Sequence, residues 1–310
     1  MDIETLIDAL YSEKRILTRQ RNLDELEFST ERAQSINKLM ERTIFDDEFI
    51  KALKANTPYA EIEKCYEFIL SSILDRVPSV SCLRSKAFHV VVTGGIDLRN
   101  SVTGNDAIIV LEWPVIKYID LLNANALQSK DFCAYRRECL KVLGVYLRKY
   151  KEAEQDVNLF ATRHDNLDVE PTAYKIMAYL QQIQTIFMLG HELGHLLNQG
   201  PSGLQDELSA DAAAYEILLD YCKNDTRIHA FIVIGVMLLF SYCTLLYVSM
   251  KSTKQEMIQC RDNWIERYEA LMDRMRAIEL RESDLELIAG YDAICSILDE
   301  ICLETITSAE

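Results

Sequence analysis

Apolar side chains recur at intervals of three and four residues along most of the chain, which is the spacing that places them on one face of a helix. The pattern runs from Ile3 to about Ala55, and again through "YAEIEKCYEFILSSIL" between Pro58 and Pro78. With 10 glycines and 5 prolines in 310 residues, few positions interrupt a helix. These features predict a chain of long helices.

Two short segments in the middle of the chain have a different pattern. "KAFHVVVTGG" (residues 86–95) and "NDAIIVLEW" (105–113) are β-branched runs bounded by Gly, Asn and Asp, and they predict two strands of a small sheet. Pro114 then starts another helix, at a position where proline is tolerated. Helical patterns resume at about Asp131, apart from an expected loop over Asp156–Pro171. The predicted fold class is mainly α with a small β-sheet (α+β).

The length of the chain is compatible with one large domain or with two smaller ones. We predict an N-terminal helical region over residues 1–80, with a regulatory role, and a second domain over residues 81–310. The two regions could also form one compact unit. No internal repeat or low-complexity segment marks a further division.

The composition is that of a globular protein, with 49% hydrophobic and 26% charged residues, but the net charge is -16. Such acidity argues against nucleic acid as a partner and against simple docking on anionic lipid. Nine cysteines without a C-x-x-C pair indicate reduced thiols rather than a disulfide framework. The first residues do not show a basic segment followed by an apolar core, so the predicted location is cytoplasmic.

The segment from Thr185 to Gly200, "TIFMLGHELGHLLNQG", places ionisable side chains in an apolar run. On a helix over Pro171–Asn198, His191 and His195 are four residues apart and therefore point to the same place. Two imidazoles at that spacing reach one Zn2+ with Zn–N distances of about 2.0–2.1 Å. Glu192 is rotated by about 100° around the helix, beside the metal, where it is suited to act as a general base toward water.

A third ligand is expected downstream, in "SGLQDELSADAAAYEILLDY". Glu207 and Asp211 are four residues apart and share a helix face. Glu207 would bind the metal, and Asp211 would accept the second ring N–H of a ligating histidine and hold its orientation. Asp211 and Asp206 remain alternative ligands, and Ser202 or Asp206 could cap the helix. One such ligand set predicts one Zn2+ per chain.

Small residues accompany both motifs. Gly194 stands between the histidines, where glycine costs roughly 1 kcal/mol against alanine in a helix, and this suggests the close approach of another backbone. The downstream helix carries alanines at Ala210 and Ala212–Ala214. These alanines permit the second helix to pack tightly against the first.

"HELGH" followed by "ELSAD" resembles the gluzincin metallopeptidases, which carry H-E-x-x-H and E-x-x-x-D on successive helices. The short gap, the alanine-rich second helix and the apolar helix after it are similar to the CAAX-prenyl-protease-like group, and closer still to the phage-exclusion peptidases of the Lit type. The resemblance extends loosely over Asp106–Arg274 and is specific over Thr185–Tyr215. It implies a zincin-like core and a cytosolic zinc endopeptidase that cleaves a translation factor when a phage peptide is present.

The resemblance also implies residues outside the two motifs. Both of the closer families carry a His-Pro followed by an arginine, and "RDNWIERYEALMDRM" places Arg267 in the position of that arginine, without the His-Pro. Gluzincins use a Tyr or His from outside the motif to stabilise the oxyanion. Tyr215, His229 and Tyr242 are the candidates here, and together with Arg267 they form the set of candidate oxyanion or substrate contacts.

Residues 230–250, "AFIVIGVMLLFSYCTLLYVSM", contain no charge and are long enough to span a bilayer. Ser241–Thr244 interrupt the middle of the segment, and basic residues flank both ends, so the charges favour no orientation. A fully buried helix behind the active site has the same pattern, and this is the interpretation that we favour.

The residues and the resemblance together predict a zinc-dependent endopeptidase with a protein or peptide substrate and an activating partner, in the role of an anti-phage or stress effector of narrow specificity. Two alternatives stay open: a metal-stabilised regulatory or binding protein without turnover, and a membrane-embedded CAAX-type protease. Glu192 argues against the first alternative, because a structural metal site has no use for a base beside an open position.

Overall fold

The computed structural model describes residues 58–93, 99–103, 106–129, 131–153, 171–198, 203–223, 228–278 and 280–309. In these ranges the chain forms eight α-helices, one short 3₁₀ helix (Pro78–Leu83) and three β-strands. The helices are α1 (Pro58–Arg76), α2 (Trp113–Gln128), α3 (Phe132–Ala153), α4 (Pro171–Asn198), α5 (Leu204–Cys222), α6 (His229–Ser249), α7 (Lys254–Met275) and α8 (Glu282–Ser308). The strands are β1 (Ala87–Thr93), β2 (Arg99–Thr103) and β3 (Asp106–Glu112). The helices expected before residue 58 and the loop expected over residues 156–170 lie outside the described ranges.

The predicted fold class, mainly α with a small β-sheet, is confirmed. The sheet has the strand order β1–β3–β2, in which β1 is parallel to β3 and β2 is antiparallel to it. The central strand β3 is buried from Ala107 to Leu111 without a polar interruption. Such a continuous apolar run is typical of a strand that is buried on both faces.

The sequence predicted β1 and β3 but missed β2. This strand reads "RNSVT", which has one strongly apolar residue, Val102, and so lacks the alternation that marks a half-buried strand. Its structure comes from pairing with β3, in which Ser101 lies opposite Ile108. The prediction of two strands was therefore incomplete, because a neighbouring strand rather than the local pattern specifies β2.

Contacts within the chain divide it into two compact units, residues 1–117 with 149–178 and residues 118–148 with 179–310. The boundary expected at residue 80 lies inside the first unit. In that unit, Arg84 donates from Nε to the carbonyl of Leu74 and from Nη2 to the carbonyl of Asp75, both at 2.7 Å. These contacts satisfy carbonyl groups at the end of α1, which otherwise have no partner within the helix.

The second unit contains both predicted metal motifs and is built around α6, which packs against α7 and α8. Tyr179 stacks on Phe231 with ring centres 5.4 Å apart, and Phe187 meets the edge of Phe240 at 5.8 Å, so α4 and α6 run parallel. Helix α6 contains no Asp, Glu, Lys or Arg, and most of it is buried. Among the described helices, α6 alone is long and apolar enough to cross a membrane, but a buried core helix has the same character. The interpretation of α6 as a buried helix without a membrane role therefore stays a prediction.

Helices α4 and α5 run antiparallel and approach closely at two glycines of α4. A Cβ at Gly190 would lie 3.1 Å from Ala214 Cα, and a Cβ at Gly194 would lie 2.8 Å from both Cα and the carbonyl oxygen of Ala210. The close backbone approach expected from Gly194 and from the alanines of α5 is confirmed. It brings the polar side chains of α4 and α5 within reach of one another.

Gly194→Ala is expected to destabilise the protein by about 1–3 kcal/mol, because the added methyl group meets backbone atoms that move only if α4 and α5 separate. The matched control is Gly290→Ala in α8, where nothing lies within 4 Å of the new Cβ. That substitution should stabilise its helix by about 1 kcal/mol. Urea unfolding of both variants measures the difference, and equal changes in stability would contradict the close contact of α4 with α5.

Candidate metal centre

Three side chains on two helices direct their ligand atoms to one point. His191 and His195 extend from α4, and Glu207 extends from the first turn of α5. The Nε2 atoms of the two histidines are 3.1 Å apart. The carboxylate oxygens of Glu207 lie 3.4 Å from His191 Nε2 and 3.7 Å from His195 Nε2. We call these three residues the metal group.

The metal group could hold a metal ion, since one ligand atom from each residue lies within 4.8 Å of the others. Ligand atoms that surround a tetrahedral Zn2+ at about 2.0–2.1 Å are about 3.3 Å from one another, which falls within the range of the observed distances. The exposed fractions are 12% for the His191 side chain, 17% for His195 and 37% for Glu207. The group is therefore partly shielded from solvent, and its ligand atoms are close enough together to hold a small divalent ion.

Each histidine of the metal group is held by its own carboxylate. His191 Nδ1 donates to Asp211 Oδ1 at 2.8 Å, and His195 Nδ1 lies 3.0 Å from Asp206 Oδ2. Because an ionised carboxylate can only accept, both Nδ1 atoms carry a hydrogen, and in the neutral ring Nε2 keeps its lone pair. Carboxylate partners of this kind fix the tautomer and orientation of imidazoles that bind metals.

The three acids considered as the third ligand occupy different places. The oxygens of Glu207 lie on the Nε2 side of both rings, whereas Asp211 and Asp206 lie on the Nδ1 sides. The structure thus brings Asp211 to a ring N–H of a histidine, which is the contact that the spacing of the motifs predicts. Glu207 is the acid whose position suits a ligand.

The expected side-chain cap of α5 by Asp206 is wrong. The helix begins at Leu204, and its N-cap is Gly203 with a φ of 128°, a conformation that L side chains rarely adopt. The N–H groups of Asp206 and Glu207 donate to the carbonyl of Gly203. Ser202, the other expected cap, lies outside the described residues. Both acids stand in the first turn, where the positive end of the helix dipole stabilises carboxylates.

Arg267 of α7 binds two acids of α5. Its Nε lies 2.6 Å from Asp211 Oδ2, its Nη2 lies 2.9 Å from Asp211 Oδ1, and its Nη1 lies 2.9 Å from Glu207 Oε2. The guanidinium carbon is 4.3 Å from the ring centre of Trp264 and 5.6 Å from that of Phe240. The structure therefore places Arg267 in direct contact with the metal group.

These contacts set the charges around the metal group. Burial raises the pKa values of Glu207 and Asp211, but the hydrogen bonds with His191 and the charge of Arg267 outweigh burial and lower both. Burial lowers the pKa of His191, yet the hydrogen bonds with Asp211 and Glu207 raise it to about 9. Two Nε2 lone pairs at 3.1 Å repel each other unless a positive charge joins them. A proton on His191 or a metal ion supplies that charge.

Treatment with a chelator is expected to leave a protein whose stability falls as the pH rises. The pKa of His191 is about 9 in the folded chain and 6.5 as the ordinary value for the unfolded chain. The stabilisation from its proton is therefore complete below about pH 6.5 and is lost as the pH rises through about 9. Urea unfolding of the metal-free protein at several pH values measures this slope. His191→Gln should reduce the slope, and an equal slope in this variant would show that His191 is not its source.

Glu192 lies beside the metal group without belonging to it. The residue is 2% exposed. Burial lowers the pKa of His191, whereas the contacts with Asp211 and Glu207 raise it, and the charge of Glu192 adds to this rise. The carboxylate of Glu192 is therefore within electrostatic reach of the imidazole. The expected base and the expected ligands are thus together in one unit of the chain.

The other candidate oxyanion residues have different surroundings. The hydroxyl group of Tyr215 is buried and has no hydrogen-bond partner among the described residues. That of Tyr242 is buried next to the Tyr135 side chain. His229 begins α6. Hydrogen bonds from Arg281 lower the pKa of Asp284 most, and the charge of His229 adds a smaller effect in the same direction. Of the four candidate contacts for oxyanion or substrate, Arg267 is the one that the structure shows to contact the metal group.

Glu207→Ala is expected to weaken Zn2+ binding more than Asp211→Ala, because the first removes a ligand and the second removes a partner of a ligand. Loss of such an outer partner typically costs about 10–100-fold in affinity, and we expect an effect in this range for Asp211→Ala. Competition with a chelator on the purified variants gives both affinities. The reverse order would mean that the roles of the two acids are exchanged.

Two supports of the site were not found in the sequence. Asp206 was considered as a ligand or a cap, but its contact with the Nδ1 side of His195 depends on how α5 packs on α4. The aromatic surface next to Arg267 was also missed. Trp264 precedes Arg267 by three residues on α7, a spacing at which side chains on a helix are neighbours. A search for aromatic residues at this spacing from Arg267 would have found it.

The metal group combines three protein ligands with an additional acid beside them. A tetrahedral ion held by three protein ligands keeps one position for water or substrate, as in catalytic zinc sites. No protein-family model, curated protein or solved structure matches this chain. The geometry of these side chains therefore carries the functional argument.

Proposed function

We propose that this protein is a zinc-dependent endopeptidase with a zincin-like core, which hydrolyses a peptide bond of a cytosolic protein. The observation that carries the proposal is the convergence of His191, His195 and Glu207 on one point, with Glu192 beside them. Structural zinc sites are closed by four protein ligands, whereas catalytic sites have three and an open position. The resemblance of "HELGH" and "ELSAD" to the gluzincin motifs supports the same reaction.

Zinc fits the metal group better than Mg2+ or Ca2+ does. Two imidazole nitrogens and one carboxylate oxygen are a frequent ligand set of catalytic zinc, whereas Mg2+ and Ca2+ prefer six or more oxygen ligands. Among the described residues, no cysteine belongs to the metal group. A thiolate-rich structural site is therefore not what these residues form.

The side chains around the metal group have separate roles in this proposal. When bound, Zn2+ supplies Lewis-acid chemistry to a peptide carbonyl and to water. Glu192 takes the proton of the attacking water on a carboxylate oxygen and then gives it to the nitrogen of the leaving amine. Asp211 and Asp206 keep the Nε2 atoms of the two histidines turned toward the shared point.

Restricted activity is part of the proposal. A cytosolic endopeptidase of broad specificity would damage its own cell, so we expect narrow specificity or an activity that waits for a partner or a stress signal. The region before residue 80 is the expected place of this control, because it precedes the scaffold of the metal motif. The resemblance to the Lit-type peptidases makes phage infection the leading signal and a translation protein the leading substrate.

Mapping of new protein N-termini in a bacterial host tests the proposal. Wild type and Glu192→Gln are expressed with and without phage challenge, and all N-termini are compared. One or a few cleavages found with the wild type alone would support the proposal and identify the substrate. Abundant cleavage without any signal would contradict the restricted activity. The absence of wild-type cleavage under every condition would favour a metal-stabilised regulatory protein instead.

A further inference from the structure

The guanidinium group of Arg267 is fully engaged with acids of another helix. Three of its nitrogens face the carboxylates of Asp211 and Glu207, with the shortest contact at 2.6 Å. The side chain of Arg267 is 12% exposed and that of Asp211 is 1% exposed, so water screens this ion pair little. A two-point contact between arginine and a carboxylate fixes orientation as well as charge.

Aromatic rings hold the guanidinium from α7 and α6. The ring centre of Trp264 is 4.3 Å from the guanidinium carbon, within the range of a cation–π contact. Trp264 is itself stacked on Tyr247 at 5.6 Å and meets the edge of Phe240 at 5.5 Å. An arginine confined between these rings and two acids has little freedom to change its rotamer.

Glu207 is the member of the metal group that needs this support most. Its side chain is 37% exposed, more than either histidine, and a glutamate loses considerable rotamer freedom when it is fixed. Arg267 Nη1 donates to Oε2 of Glu207, and this same oxygen lies 3.4 Å from His191 Nε2. The contact therefore holds a ligand oxygen at the place where the ion would bind.

We propose that Arg267, held by Trp264, is a positioning residue that aligns Glu207 and Asp211 for metal binding; the inference rests on the proposed zinc site. Arg267 thereby links Glu207, which would bind the ion, to Asp211, which orients His191. The positive charge of Arg267 does not simply repel the ion, because both oxygens of Asp211 accept from it and balance that charge. The alignment of Glu207 and Asp211 therefore outweighs any repulsion between Arg267 and the ion. Loss of Arg267 weakens zinc binding.

Competition with a chelator, with Zn2+ as the probe, tests the inference on the purified full chain. Arg267→Gln is expected to weaken binding by about 10–100-fold, as is typical of partners of metal ligands. Trp264→Leu is expected to weaken it by about 3–30-fold, through loss of the cation–π contact. Arg267→Lys keeps the charge without the two-point geometry, so it should recover part of the loss from Arg267→Gln.

The matched control is Arg261→Gln. Arg261 lies on the same helix and makes the same kind of two-point contact with Asp299 of α8, in which Nε donates to Oδ1 and Nη2 to Oδ2, both at 3.0 Å. This pair has no contact with the metal group among those described. Its loss should change zinc affinity by less than about twofold, since effects at distant sites are independent.

A double variant separates positioning from general damage to the fold. Because Trp264 acts through Arg267, Trp264→Leu should cause no further loss of zinc affinity once Arg267→Gln is present, whereas independent defects add. Circular dichroism of the metal-free proteins checks that each variant folds. If a variant fails to fold, Trp264→Phe and Arg267→Lys provide the same comparison with smaller changes.

The outcomes distinguish the inference from the proposed function. Weaker binding in the Arg267 and Trp264 variants, without additivity and without an effect of Arg261→Gln, supports the positioning role. Unchanged or tighter binding in Arg267→Gln, or additive losses in the double variant, would overturn that role and leave the zinc site standing. A wild-type protein that binds no zinc would overturn the proposed function itself, and the positioning role with it.

Discussion

Glu192→Gln is expected to lower the rate of peptide-bond hydrolysis by about 10²–10⁴-fold and to leave the zinc content unchanged. Glutamine has nearly the size of glutamate but cannot accept the proton of the attacking water. The three residues of the metal group are not altered by the substitution. This variant should therefore lose activity while it keeps its zinc. A purely structural role of Glu192 would not produce that combination. Zinc content and hydrolysis of the substrate found by mapping new N-termini are measured on the same preparation.

Glu216→Gln is the matched control for Glu192→Gln. Glu216 lies on α5, is exposed, and pairs with Arg274 at 3.4 Å rather than with the metal group. Its replacement should change neither zinc content nor hydrolysis. Retained hydrolysis in Glu192→Gln would mean that another group accepts the proton. Loss of zinc from Glu192→Gln would mean that Glu192 is itself a ligand.

His191→Ala and His195→Ala are each expected to reduce zinc from about one ion per chain to almost none. Each change removes one of three protein ligands and leaves a carboxylate, Asp211 or Asp206, without the ring N–H that it binds. The remaining histidine and Glu207 cannot complete a tetrahedral set. Elemental analysis after gel filtration in metal-free buffer measures the zinc content of each variant.

His89→Ala is the control for the two histidine variants. His89 lies on β1, 3.8 Å from Asp106, and is not part of the metal group. Its replacement should leave the zinc content at the wild-type value. Full zinc occupancy in His191→Ala or His195→Ala would refute the assignment of these ligands.

Local features of the sequence were sufficient to predict α4 and to place His191 and His195 on one face of it. The predicted range Pro171–Asn198 is the range of α4 in the structure, because apolar spacing and the prolines and glycines at its ends act within the helix itself. Gly194 and the alanines of α5 also predicted the close contact of the two helices, since small side chains are needed wherever two backbones approach.

Contacts between distant parts of the chain could not be predicted in the same way. Arg267 and Asp211 are 56 residues apart, and no local pattern pairs an acid of α5 with a cation of α7. The buried amides of Asn123 and Gln184 give a similar case. They hydrogen-bond at 2.7 Å across 61 residues, although isolated amides in a sequence have the pattern of a solvated surface.

X-ray absorption at the zinc edge of the zinc-loaded wild-type protein tests the central claim most directly. The claim is that one ion is held by two imidazoles and one carboxylate. It predicts nitrogen and oxygen ligands at about 2.0–2.1 Å, with the multiple-scattering pattern of about two imidazoles and without a sulfur shell. Because the chain has nine cysteines, a thiolate site is the main competing assignment. A sulfur shell at about 2.3 Å would contradict the account.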